Sequence, residues 1–372
     1  MCIIDEMEKI AEQVEYRGYY YKLSDVVKIT TLGLLCQMKT LKEIHFWAIA
    51  KPNRKMLFDN FKIRKIPCYS HFVNLFGLLD SNELNKIFMD FFGRLVGEVK
   101  GKTIAVDGKT ICSTANMQHR SHPLHIASAF VVENGITIGQ LAVSDKRNEI
   151  SAVQSLISLL DIEGATVVAD ALNCQKDTVK EILTAGCDYV LSVKKNHPNL
   201  YEDIADIIDF KINDATEKRL SPLLTATKAE KGHGRIEKRT AYVTHEIEWL
   251  NERDKWENLK TIGAISTGKE IRYYISSRIL SPEELLLLTR QEWAIESMHW
   301  QLDVLFGEDR TTLHEENAQK TLNMLRKVAL NIIRSYRDKC DPKSGMVDIM
   351  RKSLHDSDVL LRVLEYYGAV TN

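Results

Sequence analysis

The spacing of apolar residues divides the chain into a helical first quarter and a mixed remainder. Four runs predict helices over Val26–Lys39, Leu41–Ala50, Tyr69–Leu79 and Ser81–Val99, with Ser81 as the N-cap of the last. Residues 51–65 interrupt this pattern with six basic residues and one acid. They predict a connecting loop with a solvated face; a patch that contacts phosphates is the alternative.

From Lys100 onward, short apolar and β-branched runs are separated by turn residues. Strands are predicted over 103–106, 125–132 and 137–144, with Asn134-Gly135 as the hairpin turn between the last two. Helix and strand then alternate over 149–160, 166–169, 176–185 and 189–193. Three antiparallel strands followed by alternating helices and strands predict an α/β fold, a mixed sheet with helices on its faces.

The rest of the chain begins with an amphipathic helix over 200–210 and becomes strand-like and more polar from about 225 to 277. A helix begins at Ser281, where Ser at N-cap, Pro at N1 and acids in the first turn form a clear start. Two more helices are predicted over about 316–337 and 345–367. We therefore expect a helical, DNA-contacting domain over 1–98, a mixed domain over 99–340 with a β-rich insertion at about 220–280, and a helical tail over 341–372.

Composition narrows the class of protein. With 44% hydrophobic residues and a formal net charge of -1, the 372-residue chain is expected to fold. It has no run of about 18 apolar residues and no start in which basic residues precede an apolar run, so we expect a cytoplasmic protein with no membrane partner. Its seven cysteines include no C-x-x-C pair, so we expect reduced thiols. A net charge near zero would by itself argue against a nucleic-acid partner. It is an average over the whole chain, however, and basic residues cluster at 51–65.

Two acids stand out because each follows a predicted buried strand. Asp107 and Asp170 come after small or β-branched apolar runs, and each precedes a predicted turn. If their strands are neighbours, the two carboxylates converge at the rim of the sheet, where a cation such as Mg²⁺ or Mn²⁺ would relieve their repulsion. The alternative is an ordinary turn aspartate.

A third acid, Glu296, lies in the middle of the helix that follows residue 281. It shares one side of that helix with Trp293 and Trp300, so its charge must be solvated, paired or metal-bound. The spacing Glu296-x-x-His299 also occurs in carboxylate-bridged di-iron bundles, but the chain offers no convincing second motif of that kind. On this pattern His299 is a helper of the site or a packed residue.

Seven segments, in order along nearly the whole chain, carry a family resemblance. They are Ile104–Thr110, Leu124–Phe130, Lys146–Ile150, Asp170–Gln175, Asp188–Asn196, His233–Glu237 and Trp293–Asp309. In these segments the chain resembles the insertion-sequence DDE transposases that include the H-repeat-associated proteins. Its helical N-terminal region resembles the small domain that precedes the catalytic core of that family. Departures from the family pattern occur at Leu172, Asn173, Lys194–Asn196, Glu292 and Asp303.

The resemblance implies an RNase H-like core with a β-rich insertion before the glutamate. It implies that Asp107, Asp170 and Glu296 form a catalytic triad that holds two Mg²⁺ or Mn²⁺ ions, with Asp107 bridging them. Candidate contacts to double-stranded DNA at the element ends and the target are Lys109, Lys146, Arg147, Lys194, Lys195, Arg235, Arg290 and His299. For each basic residue alone, a solvated surface charge is the alternative.

The expected activity is that of an insertion-sequence transposase, acting as a homo-oligomer on DNA. It comprises metal-dependent cleavage of phosphodiester bonds at element ends and strand transfer into target DNA. Three alternatives remain open: a domesticated or inactive relative that still binds DNA, a metal-dependent nuclease outside transposition, and a di-iron enzyme built on Glu296 and His299. Inverted repeats that flank the gene would favour transposition.

Overall fold

The computed structural model describes residues 3–12, 21–114, 123–143, 148–213, 223–232, 235–311 and 313–369. In these ranges, helices precede the first strand: α1 (Ile3–Glu12), α2 (Leu23–Leu35), α3 (Leu41–Ile49), α4 (Lys51–Phe61), α5 (Tyr69–Gly77) and α6 (Ser81–Val96). They confirm the predicted helical first quarter.

Two details of this helical region differ from the sequence pattern. The stretch predicted as a loop begins with helix α4, because Pro52 is tolerated in a first helical turn and the buried residues 56–57 anchor one side. The N-cap of α6 is Asp80 and not Ser81, because the Asp80 carboxylate accepts the backbone N–H groups of residues 82–83.

One sheet occupies the middle of the molecule. Its strands are β1 (Thr103–Ile111), β2 (Leu124–Val131), β3 (Ile136–Val143), β4 (Thr166–Ala169), β5 (Asp188–Val193), β6 (Leu224–Gly232), β7 (Arg235–Thr244), β8 (Thr261–Ser266) and β9 (Ile271–Ser276). The strand order is β3-β2-β1-β4-β5-β9-β8-β7-β6. Strands β1 to β3 are antiparallel, whereas β4 and β5 run parallel to β1. This is the arrangement of an RNase H-like core, so the predicted fold class is confirmed.

The first strand is longer than its apolar run. The pattern predicts that β1 ends before Asp107, but its ladder with β2 continues to the pair Ile111 and Leu124. Asp107 therefore lies inside a strand, held by a partner that is remote in sequence. The predicted hairpin between β2 and β3 is present, and Gly135 adopts φ 65°, which glycine enters without strain.

The strands of the predicted insertion continue the same sheet. Strand β9 pairs with β5, and β8, β7 and β6 follow outward as antiparallel neighbours. Their more polar alternation reflects this outer position, because one face of an outer antiparallel sheet meets solvent.

The remaining helices flank the sheet and complete the core. They are α7 (Glu149–Leu159), α8 (Lys176–Thr184), α9 (Pro198–Asn213), α10 (Pro282–Phe306), α11 (Glu316–Cys340), α12 (Met346–His355) and α13 (Ser357–Ala369). Helix α10 begins as predicted, with Ser281 and Glu284 in a capping box. The last predicted helix is split in two, because Asp356 leaves the helical conformation and caps the N–H of Asp358.

Helix α11 joins the two halves of the molecule. It packs against β3 of the sheet and against α2 and α6 of the helical region, and its sides are buried over most of its length. One continuous hydrophobic core contains residues from the N-terminal helices, the sheet and α10 to α13. In the described ranges, no helix combines the length and the apolar character that a bilayer crossing requires.

Candidate active site

The acidic centre lies where β1 and β4 run side by side. Val106 is paired with Ala169, which places Asp107 beside Asp170 at the carboxyl end of β4. On β2 the partner of Asp107 is Ser128, and on β3 the partner of Ser128 is Gln140. Because paired residues project to the same face of a sheet, we call Asp170, Asp107, Ser128 and Gln140 the polar row.

The row brings carboxylates close enough to repel one another. Burial, and next the charge of Asp170, raise the pKa of Asp107 to about 7, and the charges of Glu149 and Glu296 act in the same direction. Asp170 also accepts the backbone N–H groups of residues 172–173 at 3.1 and 3.2 Å. Asp170 thus has the turn role offered as its alternative and still lies next to Asp107.

Helix α10 places two more acids near the row. Glu296 is exposed to solvent, whereas Glu292, one turn earlier, is partly buried. Burial, followed by the charges of Asp170, Glu296 and Asp107, raises the pKa of Glu292 to about 8. Glu292 is therefore a further carboxylate of the site, which the sequence marks by its spacing of four residues from Glu296 and as a departure from the family pattern.

His299 is buried beside the row, on the side that faces Asp107. Its Nδ1 lies 3.6 Å from Asp107 Oδ2, and its buried Nε2 has no hydrogen-bond partner among the residues that the structure describes. Burial, and then the charges of Lys327 and Lys109, lower the pKa of His299 to about 3. The ring is therefore neutral at neutral pH and serves as a packed neighbour of Asp107.

Lys327 of α11 lies at the other end of the row. Its ammonium donates to Ser128 Oγ at 2.7 Å and to Gln140 Oε1 at 2.8 Å. The side chain is buried, which lowers the pKa of Lys327 to about 7. The lysine joins the two strands next to Asp107, so the row has carboxylates at one end and a buried amine at the other.

Lys109, predicted as a phosphate contact, takes part in an internal ion pair. Its Nζ lies 2.6 Å from Glu308 Oε2 and 3.5 Å from Asp309 Oδ2. The Glu308 side chain is 2% exposed and also accepts Asn323 Nδ2 at 2.5 Å. Because Lys109 follows Asp107 by two residues on β1, this pair ties the strand of Asp107 to the segment after α10.

Glu149 covers the other face of β1. A Cβ atom at Gly108 would overlap the Glu149 side chain, so glycine allows this glutamate to pack close to Asp107. Glu149 is buried and is the first residue of α7. The helical pattern alone gives no sign of this packing, because there Glu149 looks like an ordinary acid of a first helical turn.

The other predicted DNA contacts are placed in different ways. Lys194 and Lys195 are exposed just after β5, at the edge of the sheet where Asp170 ends β4. Arg290 is exposed on α10 and lies 3.7 Å from Glu230. Of the remaining candidates, two lie outside the described residues and one begins β7: Lys146, Arg147 and Arg235.

Exposed indoles flank the acids of α10. Trp293 and Trp300 are 40% and 65% exposed, and the Arg272 guanidinium lies 5.1 Å from the centre of the Trp293 ring. Glu296 is exposed on the same helix, whereas His299 is buried. Since these two residues face different surroundings, their spacing does not produce the shared inward face of a di-iron bundle.

The chemistry of the site fits a divalent cation. Among the described residues, no three Asp, Glu, His or Cys side chains already converge as ligands of an ion. The carboxylates of Asp107, Asp170 and Glu296 supply the oxygen donors that Mg²⁺ and Mn²⁺ prefer. A cation would also relieve the repulsion that contributes to the raised pKa of Asp107.

Comparisons with known proteins cover nearly the whole chain. The family model described as "Transposase DDE domain" matches residues 99–332, and the model of a domain associated with it matches residues 4–92. "Putative transposase YncI" of Escherichia coli O157:H7 is 30% identical over 349 residues, which cover 90% of this chain and 88% of that protein. "H repeat-associated putative transposase YhhI" of Escherichia coli strain K12 is 27% identical over 384 residues, with coverage of 98% and 99%. A cryo-EM structure of the piggyBac transposase synaptic complex with hairpin DNA matches with a TM-score of 0.46 at 10% identity, over 98% of this chain and 78% of that one.

Proposed function

Because the chain belongs to the family of transposases with a DDE domain, we propose that it is the DNA transposase of an insertion sequence. The observation that carries the proposal is the placement of Asp107 beside Asp170 on neighbouring parallel strands, next to the helix of Glu296. Carboxylates in this setting suit metal-dependent cleavage of a phosphodiester bond. The substrate is double-stranded DNA, first at the element ends and then at a target.

The proposed metal ligands are Asp107, Asp170 and Glu296, which would together hold two Mg²⁺ or Mn²⁺ ions. When bound, such ions activate the attacking oxygen and stabilise the leaving oxygen. The protein's own contacts keep Asp107 in place: His299 packs beside it, and the Lys109–Glu308 pair holds its strand.

The proposed reaction has two steps at one site. Water attacks phosphorus at the element end and breaks a P–O bond, which leaves a 3′-hydroxyl and a 5′-phosphate. The 3′-hydroxyl then attacks a phosphodiester of the target, so one P–O bond forms as another breaks. Lys194 and Lys195 follow β5 at the end of the sheet where Asp170 follows β4, and Arg290 lies on the helix of Glu296; in this proposal these exposed cations orient the phosphates. A homo-oligomer would bring two element ends to one target.

The test is nicking in Mg²⁺ of a supercoiled plasmid that carries the element with its flanking DNA. Asp107→Asn, Asp170→Asn and Glu296→Gln should each reduce nicking to background, while circular dichroism reports a wild-type fold. Matched controls are Asp161→Asn and Glu283→Gln, which change exposed acids outside the site and should nick like wild type.

Each outcome of this test decides between the candidate functions. Nicking that survives any one of the three triad substitutions would refute the triad. Cleavage without joining of the 3′ ends to a target would favour a nuclease outside transposition. Binding of DNA without cleavage by the wild-type protein would favour an inactive relative.

A further inference from the structure

Helix α4 presents a basic surface on the side that faces away from the core. Lys51, Arg54 and Lys55 have the spacing of one helical side, and Phe58 continues it by one turn. All four side chains are exposed, whereas residues 56–57 on the opposite side are buried. The helix is thus anchored by one short apolar edge and offers the basic side to a partner.

The chain that follows α4 adds to this surface. Lys62 ends the helix in the left-handed conformation, with φ 59°, and the chain turns back so that Ile63 is buried and Arg64 is exposed. Arg64 lines one groove together with residues of α4 and with Ile49. We name this the α4 groove and define it by Lys51, Arg54, Lys55, Phe58 and Arg64.

The cations of the α4 groove have no carboxylate partner among the described residues. In the part of the chain that the structure describes, no carboxylate lies within 4.0 Å of the charged groups of Lys51, Arg54, Lys55 or Arg64. Residues 51–65 contain six of the 50 basic residues of the chain but one of its 51 acids. Such a concentration of like charge repels itself and is favourable beside a polyanion.

We propose that the α4 groove binds the phosphate backbone of double-stranded DNA, as a docking surface separate from the carboxylate site. The choice of DNA rests on the proposed function. Cations one helical turn apart match a partner with regularly spaced phosphates. A lipid surface fits less well, because it needs a wide apolar face, whereas the exposed apolar side chains that line the groove, Ile49 and Phe58, lie among four cations.

The test measures binding of the full-length protein to a labelled duplex of arbitrary sequence, by fluorescence anisotropy in EDTA over a range of salt concentrations. The groove variant combines three substitutions, Lys51→Gln, Arg54→Gln and Lys55→Gln. The matched control also changes one exposed arginine and two exposed lysines, in the connection between β7 and β8: Arg253→Gln, Lys255→Gln and Lys260→Gln.

The control differs from the groove variant in the property under test. Arg253 already lies 3.8 Å from Glu248, and Lys255 lies 2.8 Å from Glu252. The connection leads into β8, next to the amino end of β5 and therefore at the sheet edge opposite Asp170. We expect the control to bind DNA like the wild-type protein at every salt concentration.

The groove variant should bind DNA about tenfold or more weakly at about 0.1 M salt, and its salt slope should be shallower by about 0.9 for each phosphate that the groove no longer neutralises. Equal slopes for the variant and the wild type would overturn the proposal, as would a wild-type protein that does not bind the duplex. Binding to phosphatidylserine vesicles that the variant alone loses, with DNA binding unchanged, would assign the groove to a membrane and also overturn it. Because no chemistry occurs in EDTA, groove binding combined with normal nicking by the triad variants would count against the proposed function alone.

Discussion

The lysines beside the polar row and the basic residues of the α4 groove are placed in opposite ways. Lys109 and Lys327 are bonded to oxygens of the protein and largely withdrawn from solvent. Lys51, Arg54 and Lys55 are exposed, and no carboxylate among the described residues pairs with them. Lys109 and Lys327 thus hold the site together, whereas the exposed cations of the α4 groove are placed to meet a phosphate. A net charge of -1 hides this difference because it averages paired and unpaired groups.

The largest effect is expected from breaking the interior ion pair. Glu308→Ala would leave Lys109 without its buried partner and Asn323 without its acceptor, so we expect the free energy of unfolding in urea to fall by about 3 kcal/mol or more. Glu308→Gln keeps an acceptor for Asn323 and should cost less. If Glu308→Ala costs no more than a substitution in the α4 groove, the contrast between the two sets of cations is wrong.

The second prediction is a gain in stability, because the substitution removes repulsion between carboxylates of the polar row. The pKa of Asp107 is raised in the folded protein, so ionisation of this carboxyl lowers the free energy of unfolding. The loss is small below the pKa of the unfolded state and reaches its full size above about pH 7. Asp107→Asn should therefore raise the free energy of unfolding by about 2 kcal/mol at about pH 8 in EDTA and change it little at about pH 4. Urea unfolding at both pH values measures this. A variant that is less stable than wild type at the higher pH would contradict it.

A smaller effect tests the packing of Glu149 on β1. Gly108→Ala should lower the free energy of unfolding by about 1 to 2 kcal/mol because the new methyl group overlaps Glu149, and adding Glu149→Ala should restore part of the loss. Gly93→Ala is the control: it lies in α6 with open space around its Cβ position and should be neutral or slightly stabilising. Equal losses at the two glycines would show that the close approach of Glu149 is not a constraint.

The smallest effect on stability is expected in the α4 groove. Lys55→Gln should change the free energy of unfolding by less than about 0.5 kcal/mol, because the side chain is exposed and pairs with no described carboxylate, and yet should weaken binding to duplex DNA. The same two measurements on Glu308→Gln should show the reverse pattern. A loss of stability for Lys55→Gln comparable with that of Glu308→Gln would remove the distinction.

Local pattern was enough to predict most elements of the fold. The hairpin at Asn134-Gly135 and the start of α10 at Ser281 were predicted because turn and capping chemistry is contained in a few neighbouring residues. The continuation of β1 past Asp107 was not, because it depends on pairing with β2. Helix α4 was missed for a similar reason: two buried residues anchor a stretch whose own composition is that of a loop.

Some residues of the candidate site could likewise be predicted from the local sequence, and others could not. Asp107 and Asp170 could be singled out because each follows an apolar run, and the pairing of β1 with β4 meets the condition under which the two carboxylates converge. Glu149, Ser128 and Lys327 could not, because each owes its place to a partner far away in the sequence. A polar residue at an inward position of an apolar strand, such as Ser128 between two alanines, is the one signal that was available.

The sequence by itself determined the order of helices and strands, the presence of acids at strand ends and the family to which they point, because each depends on the identity and spacing of nearby residues. The tertiary structure alone decided which charges are paired. Lys109 and the lysines of α4 have the same side chain. The packing of β1 against the segment after α10 withdraws Lys109 from solvent, whereas the lysines of α4 stay exposed. The physical reason is that pairing and desolvation depend on distances between groups that are far apart along the chain.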